Sequence, residues 1–331
     1  MPNIAIIGCG LIGQKRAQTI ASAQQHSCRL IACVDKIPER AAHLAKQYPH
    51  CEALTDWREV IQRADIHLII IATLHANLAE IALAAVQAGK HILVEKPAGR
   101  AAHELDAVIT AAEQHNILAR VGFNHRYHRA FRKARELVDT NQLGELMFIR
   151  ARYGHGGRIG YDKEWRADPA LSGGGELIDQ GVHLIDLARW FLGDFSEVQG
   201  YAHTYYWDMP VDDNGFLLLK TAKKQVAHLH ASCTEWKNTF SFEIYGKQGK
   251  IDINGLGGSY GVERITFYKM LPAMGPPETF VWEYPMADDS WQVELDECLA
   301  DIAMQRQPAV GLRDAQAALK IVEEVYQFSG L

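Results

Sequence analysis

Apolar and polar positions alternate in one way up to residue 123 and in another way beyond it. In the first part, short apolar runs lie at 3–7, 29–34, 67–72, 92–94 and 118–122, with a weaker run at 51–54. Stretches with helical spacing separate them. One ends near Ala23, one covers 76–88 before Gly89, and one covers about 101–115. Another starts at Asp56, which with Glu59 has the spacing of an N-cap and its third helical residue. The run at 67–72 is almost continuously apolar, as a strand covered on both faces of a parallel sheet must be. Regular strand–helix alternation of this kind predicts an α/β Rossmann-type domain with a parallel, doubly wound sheet. Ligands of such sheets sit beyond the carboxyl ends of the strands.

Beyond residue 123 the order changes. A helix is expected over 130–139 and a strand over 145–153. Further strands are expected at 197–203, 215–220, 225–233, 239–245, 250–253, 264–269 and 279–284, and helices at 291–304 and 314–328. Short connections such as Gly246-Lys247-Gln248-Gly249 suit hairpins. This predicts an α+β domain with a large, open, mostly antiparallel sheet. The expected division is therefore residues 1–123 and 124–331. The helices available do not cover the outer face of such a sheet, so self-association through it is expected.

Bulk properties narrow the function. The chain has 331 residues, 48% hydrophobic and 22% charged, ordinary values for a globular protein of about two domains. A net charge of −6 gives a nucleic-acid partner no electrostatic support. The most apolar run is far too short to span a bilayer, and the N-terminus lacks the pattern of a secretory signal. Six cysteines without a CxxC pair point to reduced thiols and a cytoplasmic protein. No Cys/His set has zinc-ligand spacing, so no metal is expected.

The candidate chemistry begins after the first strand. Gly8-Cys9-Gly10-Leu11-Ile12-Gly13 is GxGxxG between a strand and a helix. There the first glycine permits a tight turn, the second lets the backbone approach a pyrophosphate, and the third lets helix and strand pack closely. The helix N-terminus offers N–H groups to the phosphates. Asp35 closes the second strand, where an acidic residue grips the adenosine ribose and favours NAD. Lys36 and Arg40 lie near enough in sequence to leave NADP open. Thr73, His75, Glu95, Lys96 and Asn124 follow strand ends and should face the same cofactor crevice.

A second feature is Ser172-Gly173-Gly174-Gly175 followed by a helical stretch in which Asp179 and His183 are i and i+4. On an α-helix these stack on one face. Together with the GxGxxG segment, Ala88-Gly89-Lys90-His91 leading to Glu95-Lys96-Pro97, and Gly122-Phe123-Asn124-His125-Arg126, it resembles the Gfo/Idh/MocA oxidoreductases. These are relatives of glucose–fructose oxidoreductase and inositol dehydrogenase. The resemblance runs in order through nearly the whole chain. It implies a catalytic group of Lys96, Asp179 and His183, and a homodimer or homotetramer. Thr73-Leu74-His75 departs from the Thr-Pro the family often carries there.

Oxidising a secondary alcohol releases a proton as the hydride leaves, and a histidine suits its removal. His183 is thus the expected base, Asp179 its orienting partner, and Lys96 the donor to the substrate oxygen. Around the expected strand end, Tyr153, His155, Arg158, Trp165 and Arg166 combine aromatic and polar groups suited to a sugar-like substrate. The expected activity is NAD(P)-dependent hydride transfer from a sugar, cyclitol or sugar derivative. Alternatives are a nucleotide-sugar dehydrogenase, with Arg152, Arg158 and Arg166 meeting a diphosphate, and a non-catalytic NAD-binding regulator. Asp186 has no assigned role.

Overall fold

β1 (Asn3–Ile7) is the hub of the first sheet, with Ile4, Ala5, Ile6 and Ile7 all buried. The computed structural model describes residues 1–23 and 28–331. After β1 come α1 (Leu11–Ala23), β2 (Arg29–Val34), α2 (Pro38–Ala45), β3 (Glu52–Leu54), α3 (Trp57–Gln62), β4 (Leu68–Ile71), α4 (His75–Gln87), β5 (His91–Glu95), α5 (Asp106–Gln114) and β6 (Ala119–Gly122). The strands form one parallel sheet in the order β3-β2-β1-β4-β5-β6. The order reverses between β1 and β4, which marks the place where such sheets bind ligands. Asp56 caps α3 by accepting from the Arg58 N–H at 3.0 Å. The helix expected from 101 opens instead as a 3-10 turn, Ala102–Leu105, before α5.

The second unit begins with α6 (Arg129–Asp139), β7 (Leu146–Gly154) and α7 (Pro169–Ser172). A π turn, Leu177–Gly181, then leads into α8 (Val182–Leu192). The remaining strands are β8 (Phe195–His203), β9 (Asn214–Thr221), β10 (Val226–Ser232), β11 (Thr239–Gly246), β12 (Gly249–Asn254), β13 (Glu263–Lys269) and β14 (Glu278–Tyr284). They form one sheet in the order β14-β13-β12-β11-β7-β10-β9-β8, antiparallel except where β7 meets β10. Alternation sorts its faces. Ile149, Ala151 and Tyr153 of β7 and Phe240, Phe242 and Ile244 of β11 are buried on the face that α6 and α8 cover. Arg150 and Arg152 are on the other face. That face also carries the stacked pairs Phe148–Tyr245 and Phe216–His230, each with ring centres 4.2 Å apart.

The last two helices are α9 (Ser290–Met304) and α10 (Leu312–Ser329). The chain clusters as Met1–Phe123 with Trp291–Ala317, and Asn124–Ser290 with Ala318–Leu331. The expected division put everything beyond 123 in the second unit; the segment Trp291–Ala317 instead returns to the first. The reason is charge. Arg16 of α1 and Arg120 of β6 are fully buried, and a buried guanidinium without carboxylates costs several kcal/mol, roughly 3–5. Glu294 of α9 reaches Arg16 at 2.5 Å, and Asp301 of α9 pairs with Arg120. Leu295 and Leu299 of α9 join Ile6, Ile20, Leu30, Ile70 and Leu93 in one core. The end of α10 belongs to the second unit, where the Ser329 hydroxyl accepts the Ala202 N–H at 2.7 Å.

Candidate active site

In the first unit the glycine loop joins β1 to α1. Gly8 has φ +98, and a Cβ there would lie 2.3 Å from the Ala72 carbonyl oxygen. A Cβ at Gly13 would lie 1.9 Å from the Gly8 carbonyl oxygen. These two glycines are required by the fold. Gly10 differs: a Cβ there would meet nothing within 4 Å, so its missing side chain leaves open space over the loop. Leu11 and Ile12 open α1, whose first N–H groups lack helical acceptors by geometry. Asp35 follows β2. One carboxylate oxygen accepts the Cys9 N–H at 2.8 Å and the other accepts the Ile37 N–H at 2.9 Å. This fixes an acidic side chain beside the loop with lone pairs to spare. A cleared loop, a helix start and an anchored carboxylate fit a dinucleotide.

Other residues expected to face the crevice divide. Thr73 turns its hydroxyl to the Leu74 carbonyl at 3.3 Å, and His75 is the buried first residue of α4. Glu95 is buried and engaged by Arg16 at 2.6 Å, so its carboxylate serves the Glu95–Arg16–Glu294 triad. Lys96 follows it, half-buried and joined to Pro97 by a cis peptide bond. Asn124 lies in the second unit. Its amide donates to the Ser290 hydroxyl at 3.0 Å, and its oxygen is 3.2 Å from His125 Nδ1.

In the second unit the run of glycines sets up the π turn. Asp212 is fully buried. Its carboxylate accepts from the Gly175 N–H at 2.8 Å, the Leu177 N–H at 2.7 Å and the Tyr326 hydroxyl at 2.7 Å. A Cβ on Gly175 would lie 1.8 Å from the Asp212 carbonyl oxygen, and one on Gly174 would lie 2.2 Å from the Tyr326 hydroxyl. The glycines thus let the chain pack on Asp212 and Tyr326. Asp179 sits within the π turn rather than on the expected α-helix, and His183 lies in the first turn of α8. Such turns are common at functional sites.

Around Asp179 and His183 the side chains form a polar and aromatic cluster. Arg166 Nε donates to Asp179 at 2.7 Å, and its guanidinium lies over the Trp165 ring at 4.5 Å. His183 stacks on His125 with ring centres 3.8 Å apart. Tyr153 packs on His125 at 5.3 Å and on Tyr260 at 5.4 Å. Glu176, fully buried, lies 3.4 Å from His155 Nε2 and accepts from the Tyr161 hydroxyl at 3.3 Å.

Electrostatics sorts these groups by role. Burial pulls the His155 imidazole down, but the hydrogen bond and charge of Glu176 outweigh it and leave His155 raised. Burial also lowers Arg166, and the charge and hydrogen bond of Asp179 more than reverse that. Burial pushes the phenols of Tyr153 and Tyr161 up, and that of Tyr260 up to about 12. The three phenols therefore stay protonated near neutral pH and act as donors.

Comparison with known proteins agrees with this architecture. Residues 2–123 match the oxidoreductase family with an NAD-binding Rossmann fold, and residues 131–252 match the GFO/IDH/MocA C-terminal domain. Levoglucosan dehydrogenase of Pseudarthrobacter phenanthrenivorans is 30% identical over 293 residues, covering 76% of this chain and 73% of its own. The chain belongs to the Gfo/Idh/MocA oxidoreductase family. Inositol 2-dehydrogenase 2 of Saccharopolyspora erythraea is 30% identical over 203 residues, covering 61% of this chain and 57% of its own. The solved structure of levoglucosan dehydrogenase in complex with NADH has a TM-score of 0.88 and 26% identity, covering 99% of this chain and 98% of the other. As a Gfo/Idh/MocA protein the chain is an NAD-dependent oxidoreductase.

Within this Gfo/Idh/MocA chain, Tyr153, His155, Arg166, Asp179 and His183 lie in one connected cluster, with Trp165 beneath Arg166. Arg158 lies at their edge; it is exposed, pairs through two bonds of 2.7 Å with Glu164 and has its guanidinium 5.9 Å from the Tyr161 ring. Arg152 points to the opposite face of β7 from Tyr153. Asp186 finds its role as the partner of Arg126, bonded at 2.6 and 2.8 Å in a buried fork. Sequence reasoning missed Glu176, Tyr260, Asp212 and the stacking of His125 on His183. His125 stood within a recognised motif and Glu176 beside one; Tyr260 ends a short 3-10 turn with no signal at all. Among the described residues no group of three or more His, Cys, Asp or Glu is arranged to hold a metal ion.

Proposed function

We propose that this Gfo/Idh/MocA enzyme oxidises a secondary hydroxyl of an unphosphorylated sugar or cyclitol, with Lys96, Asp179 and His183 as its catalytic residues. The observation that carries the proposal is the cluster around Asp179. An anchored carboxylate, a stacked imidazole and a set of protonated phenols form a site for a neutral polyol. Bound NAD supplies the hydride acceptor. His183 takes the hydroxyl proton, and Asp179 favours the charged imidazole. Arg166 Nε donates to the Asp179 carboxylate at 2.7 Å and fixes its position. Lys96 donates to the substrate oxygen and favours alkoxide character as the C–H bond breaks. His155, its imidazole raised by the neighbouring Glu176, and Tyr153 donate to neighbouring hydroxyls.

A nucleotide-linked sugar fits less well, because the cations it needs are spent. Arg158 is bonded to Glu164, Arg166 to Asp179, and Arg152 faces away from the cluster. The relatives' names support the sugar or cyclitol reading: levoglucosan dehydrogenase and inositol 2-dehydrogenase act on compounds of that class. Asp35 supports NAD over NADP. The free cysteines support a reducing, cytoplasmic setting. The open face of the eight-stranded sheet, with Tyr201 and Leu218 exposed, supports a dimer or tetramer, which sedimentation would read directly.

The test is a panel of inositols, aldoses and UDP-sugars offered with NAD and with NADP, followed by absorbance of the reduced nicotinamide. The expected result is turnover of a free sugar or inositol with NAD. Turnover of UDP-sugars alone, or of no alcohol despite tight NAD binding, would contradict the proposal.

A further inference from the structure

One feature of the second unit is unused by the proposed chemistry. Tyr205, Tyr206 and Trp236 are large aromatic side chains at least 60% exposed, gathered beside the candidate site. Exposed single hydrophobes are ordinary, but these are held in place at a cost. Trp236 has φ +56, a left-handed conformation that a bulky residue rarely adopts and that strains the backbone. Tyr205, Tyr206 and Trp207 are pinned through three consecutive backbone N–H groups to one carboxylate, that of Asp213, at 2.9, 2.7 and 3.1 Å. Asp213 is fully buried, so a buried carboxyl group is committed to fixing exposed aromatic residues. The Trp207 indole N–H is tied to the Cys233 carbonyl at 3.0 Å.

The rings are continuous with the candidate site. From His155 beside Glu176, ring centres step to Tyr161 at 5.4 Å, to Trp207 at 5.6 Å, to Tyr206 at 5.2 Å and to Trp236 at 4.6 Å. Two glycines make this possible. A Cβ on Gly157 would lie 2.3 Å from the Trp207 ring, and one on Gly156 would lie 3.1 Å from Trp236 Cα. Tyr206 meets both tryptophans nearly edge-on, at 88° and 86°, so rings brace one another while Trp236 stays 65% exposed.

We propose that Trp236, Tyr206 and Trp207 form an outer subsite for a second sugar ring, so that the preferred substrate is a two-ring glycoside. The C–H face of a pyranose presents weakly positive hydrogens, and an aromatic face is negative, so the two stack. A rigid platform suits this because little side-chain entropy is lost on binding. The inference rests on the reading of the cluster around Asp179 as a sugar site, which holds the ring being oxidised.

The test compares kcat/KM for D-glucose with cellobiose and maltose, and for D-galactose with lactose, in wild type and Trp236→Ala. The expected result is a preference of about tenfold for a two-ring sugar in at least one pair, lost in the variant. A preference for the single ring in every pair, or a two-ring preference that survives Trp236→Ala, overturns the proposal. A binding measurement separates this from failure of the activity reading. Cellobiose, maltose or lactose should saturably quench the tryptophan fluorescence of the wild type, whether or not any is oxidised, and should not do so in Trp236→Ala. Absence of saturable quenching by all three overturns the outer subsite. Dissociation of an oligomer by Trp236→Ala also overturns it, assigning the rings to contact between copies.

Discussion

Asp179 is a buried carboxylate held by a hydrogen bond from Arg166. A charge-assisted hydrogen bond of this kind contributes about 1.5–3 kcal/mol, and each 1.4 kcal/mol is a factor of ten. Arg166→Met should therefore lower kcat about ten- to a hundredfold while the affinity for NAD is retained. Arg166→Lys should recover part of the loss. Equal loss in both variants, or none, would contradict the assignment. Asp212 makes a different prediction. Burial pushes its carboxyl up to about 6, against the hydrogen bonds from Leu177, Tyr326 and Gly175 that hold it down. A raised folded-state pKa means that the stability it contributes is complete below about pH 4 and is lost as pH rises through about 6. A shift of roughly two units corresponds to about 3 kcal/mol. Relative to Asp212→Asn, the wild type should lose about that much unfolding free energy between pH 4 and pH 7, measured in urea. A pH-independent difference between the two would contradict the reading.

At the scale of elements, glycine does two separable jobs. Gly175 and Gly13 clear space for neighbouring backbone, whereas Gly10 leaves space open. Gly175→Ala should destabilise the protein by about 3 kcal/mol or more, because the Asp212 carbonyl cannot give way without breaking the cap on the π turn. Gly10→Ala should leave the thermal midpoint almost unmoved and weaken NAD binding. Thermal unfolding and NAD titration of both variants check this contrast; a matching loss of stability in the two would refute it. The glycine runs were legible in the sequence, but their purpose in the second unit was not. Gly174 and Gly175 pack on Tyr326 and Asp212, 151 and 37 residues away from Gly175 along the chain, which no local pattern shows. The π turn was likewise hidden, because hydrophobic spacing around Asp179 fits an α-helix nearly as well. Its wide ladder depends on the distant Asp212 cap and on Gly181, where a Cβ would lie 2.7 Å from a Leu177 methyl.

For the whole molecule, local periodicity carried far. Both sheets, their strands and the glycine-loop site follow from patterns within short windows, since strand burial and helix spacing are local properties. The return of α9 to the first unit was not local. It depends on Arg16 and Arg120 being buried, which no window around Glu294 or Asp301 reveals. The same limit hid the pairing of Arg158 with Glu164: the two are close in sequence, but only the fold shows the side chains meeting. The central claim is that His183 removes the hydroxyl proton, and it is tested most directly by His183→Ala assayed on the sugar or inositol turned over by the wild type, with NAD affinity measured in parallel. The account predicts a fall in kcat of about a hundred- to ten-thousandfold with NAD binding intact. Turnover at the wild-type rate with NAD still bound would contradict it.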